Sequence, residues 1–207
     1  MNQSKNNHFN ASGDCQLPNP GCPWHDWYIP LSCETATLKQ VLDHGAKILA
    51  DSTDIPLIIK LIENPKFDIP GIDIFNGAVD LKDHDCIHAL LGRGLLMHDE
   101  AFTIGFTMGS TNRVTTAEQK LYSLAAKYLY PDPYKFDVDD IQVFKDAVHL
   151  GYISDCQSLD TINYDQYMEW SLRDIRDAIG LEIDLLKAYY RIEVKRYPNC
   201  KESQRLL

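Results

Sequence analysis

The chain contains no apolar run of the roughly 18 residues that a membrane-spanning helix requires. It is also short of positive charge, with 20 Lys and Arg against 30 Asp and Glu and a formal net charge of −10. Phosphate binding depends on Lys and Arg, so a nucleic-acid partner is not expected. The same charge balance weakens the case for a broad basic patch gripping anionic lipid and leaves room for a local one. Lys5 is the only Lys or Arg before Lys39, and no apolar core follows it, so neither a signal nor a transit peptide is expected. A cytoplasmic location is the expectation. Without a secretion signal, the six cysteines are expected as reduced thiols, and the sequon at Asn10-Ala11-Ser12 carries no weight. Cys15, Cys22 and Cys33 sit near His25 but form no C-x₂₋₄-C pair, which argues against a zinc knuckle. There is no G-x-S-x-G, G-x-G-x-x-G or P-loop, so neither an elbow serine nor a nucleotide cofactor is expected. Cys86 is expected to be packed rather than nucleophilic.

What is present is ordinary globular composition with helical periodicity: 207 residues, 44% hydrophobic and 24% charged. Residues 1–33 are rich in Asn, Ser, Gly and Pro and end in Trp24, Trp27 and Tyr28. They read as a flexible or extended arm whose aromatic end lies down on the domain. Residues 34–207 read as one all-α domain, a bundle of about seven helices. Leu38, Val41, Leu42, Ile48 and Leu49 place a helix over about 35–51. Further helices are expected over 55–63, 79–91, 97–108, 115–128 with a Thr115/Glu118 capping box, and 138–150 with Gly151 as its cap. Ile175, Ile179, Ile183, Leu186 and Tyr190 draw one long apolar stripe through 164–196. That stripe and the Trp-rich arm each offer a homodimer contact.

The chemistry concentrates in Asp83-His84-Asp85-Cys86-Ile87-His88 and, after eleven further residues, Glu100. His84 and His88 are four apart, so on a helix both imidazoles leave one face a turn apart and can share a metal ion. Gly92 and Gly94 mark a turn that folds the next helix back and lets Glu100 approach the same point. Asp85 is a further ligand, a partner that orients a histidine, or a proton relay. Two imidazoles with one or two carboxylates suit zinc, iron or manganese, and the residue types alone do not choose among them. Ala101, Ile104, Gly105, Phe106 and Met108 follow at helical spacing, as ordinary packing or as the wall of an apolar groove.

The run His84-Asp85-x-x-His88-x₁₁-Glu100 resembles the signature of the ubiquinone-biosynthesis family numbered fourth among the coenzyme Q proteins. Ala89-Leu90-Leu91-Gly92 and Glu100-Ala101-Phe102-x-x-Gly105-Phe106 resemble its flanking residues, and the likeness covers about residues 75–150. The resemblance implies an all-helical, peripheral membrane protein with a zinc-type site formed by His84, Asp85, His88 and Glu100. It implies isoprenoid binding, oxidative decarboxylation of a polyprenylated hydroxybenzoate with Asp85 as a catalytic group, and contact with other quinone-biosynthesis enzymes. The chain departs from the family in His98-Asp99, in its Cys-rich arm and in lacking a mitochondrial targeting segment. A non-catalytic isoprenoid-binding scaffold is one alternative. A His-Asp phosphohydrolase that recruits His44 and Asp146 is another, although Arg93 is then the only nearby cation.

Overall fold

The computed structural model describes residues 15, 17–19, 22–50, 81–112 and 136–207. The helices expected over 55–63 and 115–128 lie outside these residues. Among the described residues the fold is all-α, with no strand and only two isolated bridges, Tyr28 to Gly94 and Thr37 to Ser171. None of the described helices is long and apolar enough to cross a membrane.

Helix α1 (Leu38–Ala50) starts at a reciprocal cap. The Thr37 hydroxyl accepts the Gln40 N–H at 3.2 Å, and the Gln40 side chain accepts the Thr37 N–H at 3.0 Å. Leu38, Val41 and Ile48 then point into the core.

Helix α2 (Leu81–Leu91) is central, with Cys86, Ile87, Ala89, Leu90 and Leu91 all buried. Gly92, at φ +71°, ends it. The Arg93 N–H bonds to the His88 carbonyl at 2.9 Å, so the chain turns back within two residues. Helix α3 (Met97–Ser110) follows and is buried over most of its length.

Helix α4 (Val138–Ile153) begins at Asp137, whose carboxylate accepts the N–H groups of Asp139 and Asp140. It packs on α3 through small residues: a Cβ at Gly105 would sit 2.5 Å from the Phe144 carbonyl oxygen, and Gly109 and Gly151 are equally close to the opposing backbone. Gly151 therefore does not cap the helix, contrary to the sequence expectation. The helix continues to Ile153, and Gly151 lies where the two backbones cross.

The expected stripe over 164–196 is also corrected. Its residues do pack inward, but on two helices, α5 (Leu172–Ala178) and α6 (Ile183–Arg196). Gly180 at φ +72° lets the Leu181 N–H reach the Arg176 carbonyl at 2.8 Å, and this terminates α5. A short α7 (Lys201–Gln204) closes the chain.

Trp27, Ile29, Leu31 and Cys33 of the arm lie in the core. Cys15 and Cys33 form a disulfide, their Cα atoms 4.5 Å apart, which overturns the expectation of six reduced thiols. The physical reason is the arm's path, which doubles back on itself and brings these two residues into contact. A compartment argument from sequence cannot see that path. Cys22, Cys86, Cys156 and Cys200 are not in disulfides.

Arg176 on α5 is buried and faces backbone rather than a carboxylate. It donates to the carbonyls of Leu90 at 3.0 Å and Ala89 at 3.2 Å, in the last turn of α2. It also donates to Leu31 at 3.0 Å and Cys33 at 3.1 Å in the arm. Tyr190 Oη adds a bond to the Leu91 carbonyl at 2.5 Å. Helix ends leave such carbonyls without intrahelical partners, so the C-terminal half of the chain completes α2.

Candidate metal centre

Helix α2 places His84 and His88 one turn apart, and the turn at Gly92 brings α3 alongside with Glu100 facing them. The two Nε2 atoms are 2.9 Å apart. His84 Nε2 is 3.0 Å from Glu100 Oε2, and His88 Nε2 is 3.3 Å from Glu100 Oε1. All three side chains are buried. Ligands held about 2.0–2.1 Å from a tetrahedral cation lie about 3.3 Å from one another, so the spacing and the N/O donor set both fit a divalent first-row ion.

The electrostatics agree. Burial alone would raise the Glu100 carboxyl, but the His88 charge and hydrogen bonds from both imidazoles outweigh it and hold the carboxyl well below the usual carboxylate range. Burial pushes the His88 imidazole down. The charge and hydrogen bond of Glu100, with Asp85 and Asp99 behind, reverse this and hold it above its ordinary value. The centre therefore concentrates negative charge where a cation would displace the His88 proton.

Of the four residues expected as ligands, the structure gathers three. His84, His88 and Glu100 form one potential ligand group, and Asp85 is not among them. Asp85 is half-buried and lines a cavity of about 600 Å³ together with Trp27, Leu42, Ala46, Leu95 and Met168. None of the three grouped residues lines that cavity, which α2 reaches through Lys82 and Asp85.

Sequence reasoning missed Thr103. It lies on α3 one turn beyond Glu100, with its Oγ1 3.3 Å from His88 Nδ1. A hydroxyl there can take the Nδ1 hydrogen and leave Nε2 with its lone pair turned inward. The spacing Glu100-x-x-Thr103 was the available signal.

The other candidate residues have different work. His44 Nε2 bonds to the Pro18 carbonyl at 2.7 Å, and Asp146 takes Arg196 and Gln142, so neither joins the pair on α2. Arg93 is buried and committed to Glu193 through bonds of 2.9 and 2.6 Å, with the rings of Phe102 and Tyr190 against its guanidinium. Asp99 accepts the Leu96 N–H and pairs with Arg205. Gly105 and Phe106, the middle of the stripe expected as groove or packing, face α4, and Phe102 stacks on Tyr189. Cys86 is fully buried.

Comparison with protein-family models, with curated proteins and with solved structures finds no match to this chain.

Proposed function

We propose that this chain is a metal-dependent protein of quinone biosynthesis, acting on a polyprenylated hydroxybenzoate by oxidative decarboxylation. In that reaction the ring carboxyl leaves as carbon dioxide, a hydroxyl from water takes its place and an external two-electron acceptor takes up the two electrons. The reading rests on the motif His84-Asp85-x-x-His88-x₁₁-Glu100. One observation carries it: the two Nε2 atoms and the Glu100 carboxylate converge within 3.3 Å of one another in a buried setting. When bound, zinc, or iron or manganese in its place, would supply electrostatic stabilisation for charge developing on an aromatic acid. His84, His88 and Glu100 would hold it, with Thr103 orienting His88. Asp85, on the cavity wall beside His84, is positioned to move a proton at a ring substituent. A cavity of about 600 Å³, apolar at Trp27, Leu42, Ala46, Leu95 and Met168 and bordered by Lys39, Asp43, Lys82, Asp85 and Glu169, suits a polar ring carrying an isoprenoid tail.

The test is elemental analysis of protein purified without chelator, for wild type and His88→Ala, followed by turnover of a polyprenyl hydroxybenzoate. One metal equivalent lost in the variant, with product formed only by wild type, supports the proposal. Folded wild type that takes up no metal even after reloading sinks it.

One observation favours a second reading, a scaffold that binds isoprenoid lipid without turnover. The three ligand residues do not line the cavity, and closed metal sites are commonly structural. Bound lipid with metal present but no turnover would decide for it.

A further inference from the structure

His98, the second residue of α3, belongs to a separate cluster whose hydrogen positions can be counted. Glu193 accepts both Arg93 donors and the Ser203 hydroxyl, the last at 2.9 Å. Ser203 has a single hydrogen, and a carboxylate is the strongest acceptor it meets. Ser203 Oγ is therefore an acceptor toward His98 Nδ1, which lies 3.0 Å away and must carry the hydrogen of that bond. Cys200 Sγ, at 3.2 Å, touches the same nitrogen. The chain Glu193–Ser203–His98 thus fixes the imidazole with Nδ1 toward Ser203 and Nε2 aimed away from it.

Nε2 faces Asp140 Oδ1 at 3.6 Å. A charge-assisted N–H···O bond would be about 2.8 Å long. The observed gap is close to the roughly 3.4 Å between nitrogen and oxygen ligands of one first-row cation. Asp140 uses its other oxygen to accept the Asp137 N–H at 2.7 Å, and Asp137 uses Oδ1 for the N–H groups of Asp139 and Asp140. Each carboxylate keeps one oxygen outside the helix cap. Ligand atoms of His98, Asp137 and Asp140 all lie within 4.8 Å of one another. His98 and Asp140 are buried while Asp137 is exposed, which gives the cluster a rigid floor and an open side where water can complete a coordination shell. The aspartates alone would be a capping box. The oriented Nε2 of a buried histidine is what makes the cluster a site.

We propose that His98 Nε2, Asp140 and Asp137 bind a second divalent cation, zinc or manganese by donor type, independently of His84, His88 and Glu100.

The test is calorimetric titration of the full chain with zinc chloride, for wild type, Asp137→Asn, His98→Gln and His88→Ala. Asparagine caps a helix as well as aspartate does, so Asp137→Asn keeps the fold and removes the charge of one ligand. Wild type is expected to take up two equivalents. Asp137→Asn and His98→Gln should each weaken one of them at least tenfold, while His88→Ala abolishes the other. In a His88→Ala background, which removes the first site, substoichiometric manganese should broaden the His98 ring signals in the NMR spectrum and leave them sharp once Asp137→Asn is added. Zinc stoichiometry and affinity unchanged in both Asp137→Asn and His98→Gln would overturn the proposal. So would a single wild-type equivalent that vanishes in His88→Ala. If His98→Gln fails to fold, Asp137→Asn and the broadening experiment decide.

Discussion

The Arg176 guanidinium donates to the Leu90 carbonyl at 3.0 Å, two residues past His88 and 86 residues from Arg176 in sequence. This bond and its three companions tie α5, the arm and the end of α2 together in the interior. Arg176→Met keeps much of the apolar stem and leaves four carbonyls without their donor. A loss of about 3 kcal/mol or more in urea unfolding is expected. Because α2 carries both histidines, zinc affinity should fall with stability. Unchanged unfolding of the variant would refute this account.

Acid and base should act oppositely on metal-free and zinc-loaded protein. Without metal, the raised His88 contributes stability that is complete below its ordinary 6.5 and fades as pH climbs through its higher folded value. The depressed Glu100 contributes stability that is complete above its ordinary 4.5 and is lost as pH falls through its folded value. Their joint contribution to metal-free protein is greatest between those two pH values. Zinc requires unprotonated imidazoles, so the gain on loading should grow as pH rises through and beyond 6.5. Thermal melts with chelator and with zinc, taken from about pH 5 to 8.5, should diverge with rising pH. Parallel curves would refute this.

Thr103→Val removes the hydroxyl facing His88 Nδ1 and keeps the shape. A loss of about tenfold in zinc affinity is expected with little change in metal-free stability, since the partner that orients the ring is gone. Equal affinities would mean that Thr103 is only packing.

Gly109→Ala would drive a methyl group into the Val148 carbonyl where α3 crosses α4. Separation of the helices should cost about 1–3 kcal/mol, read as a lower denaturant midpoint. An unchanged midpoint would mean that the crossing yields without cost.

Cys33→Ser opens the Cys15–Cys33 link, which spans 18 residues. Chain-entropy arguments give about 3 kcal/mol for a loop of that size. The same loss should appear when wild type is reduced, and Cys15→Ser combined with Cys33→Ser should lose no more than either alone.

Much of the scaffold is legible in local pattern. The apolar positions of α1 and the glycines after α2 announce their elements, and the four-residue spacing of His84 and His88 announces their shared face. Asp85 was harder, because one residue is about 100° of helix rotation, enough to carry a neighbouring carboxylate from the metal face to the cavity wall. The stripe from Ile175 to Tyr190 hides a break, since α5 and α6 bury their faces in the same core and apolar spacing runs on through Gly180. What sequence could not reveal is non-local. Arg93 meets Glu193 across 100 residues, His98 meets Ser203 across 105, and Arg176 meets Leu31 across 145. No local spacing announces such pairs. The Cys15–Cys33 link is of the same kind, since it depends on the path of the arm and not on a motif.

These long separations set an order of events during translation. α2 and α3 leave the ribosome well before Arg176, Tyr190 and Glu193, the residues that complete the end of α2 and neutralise Arg93. Until the last few dozen residues emerge, the helix bearing both histidines has open carbonyls at its tip, and the buried Arg93 lacks its bidentate partner Glu193. Folding around the metal centre is thus expected to be late and largely post-translational. Stalled nascent chains ending near Gly180 should be cleaved by protease within residues 81–112, which full-length protein protects.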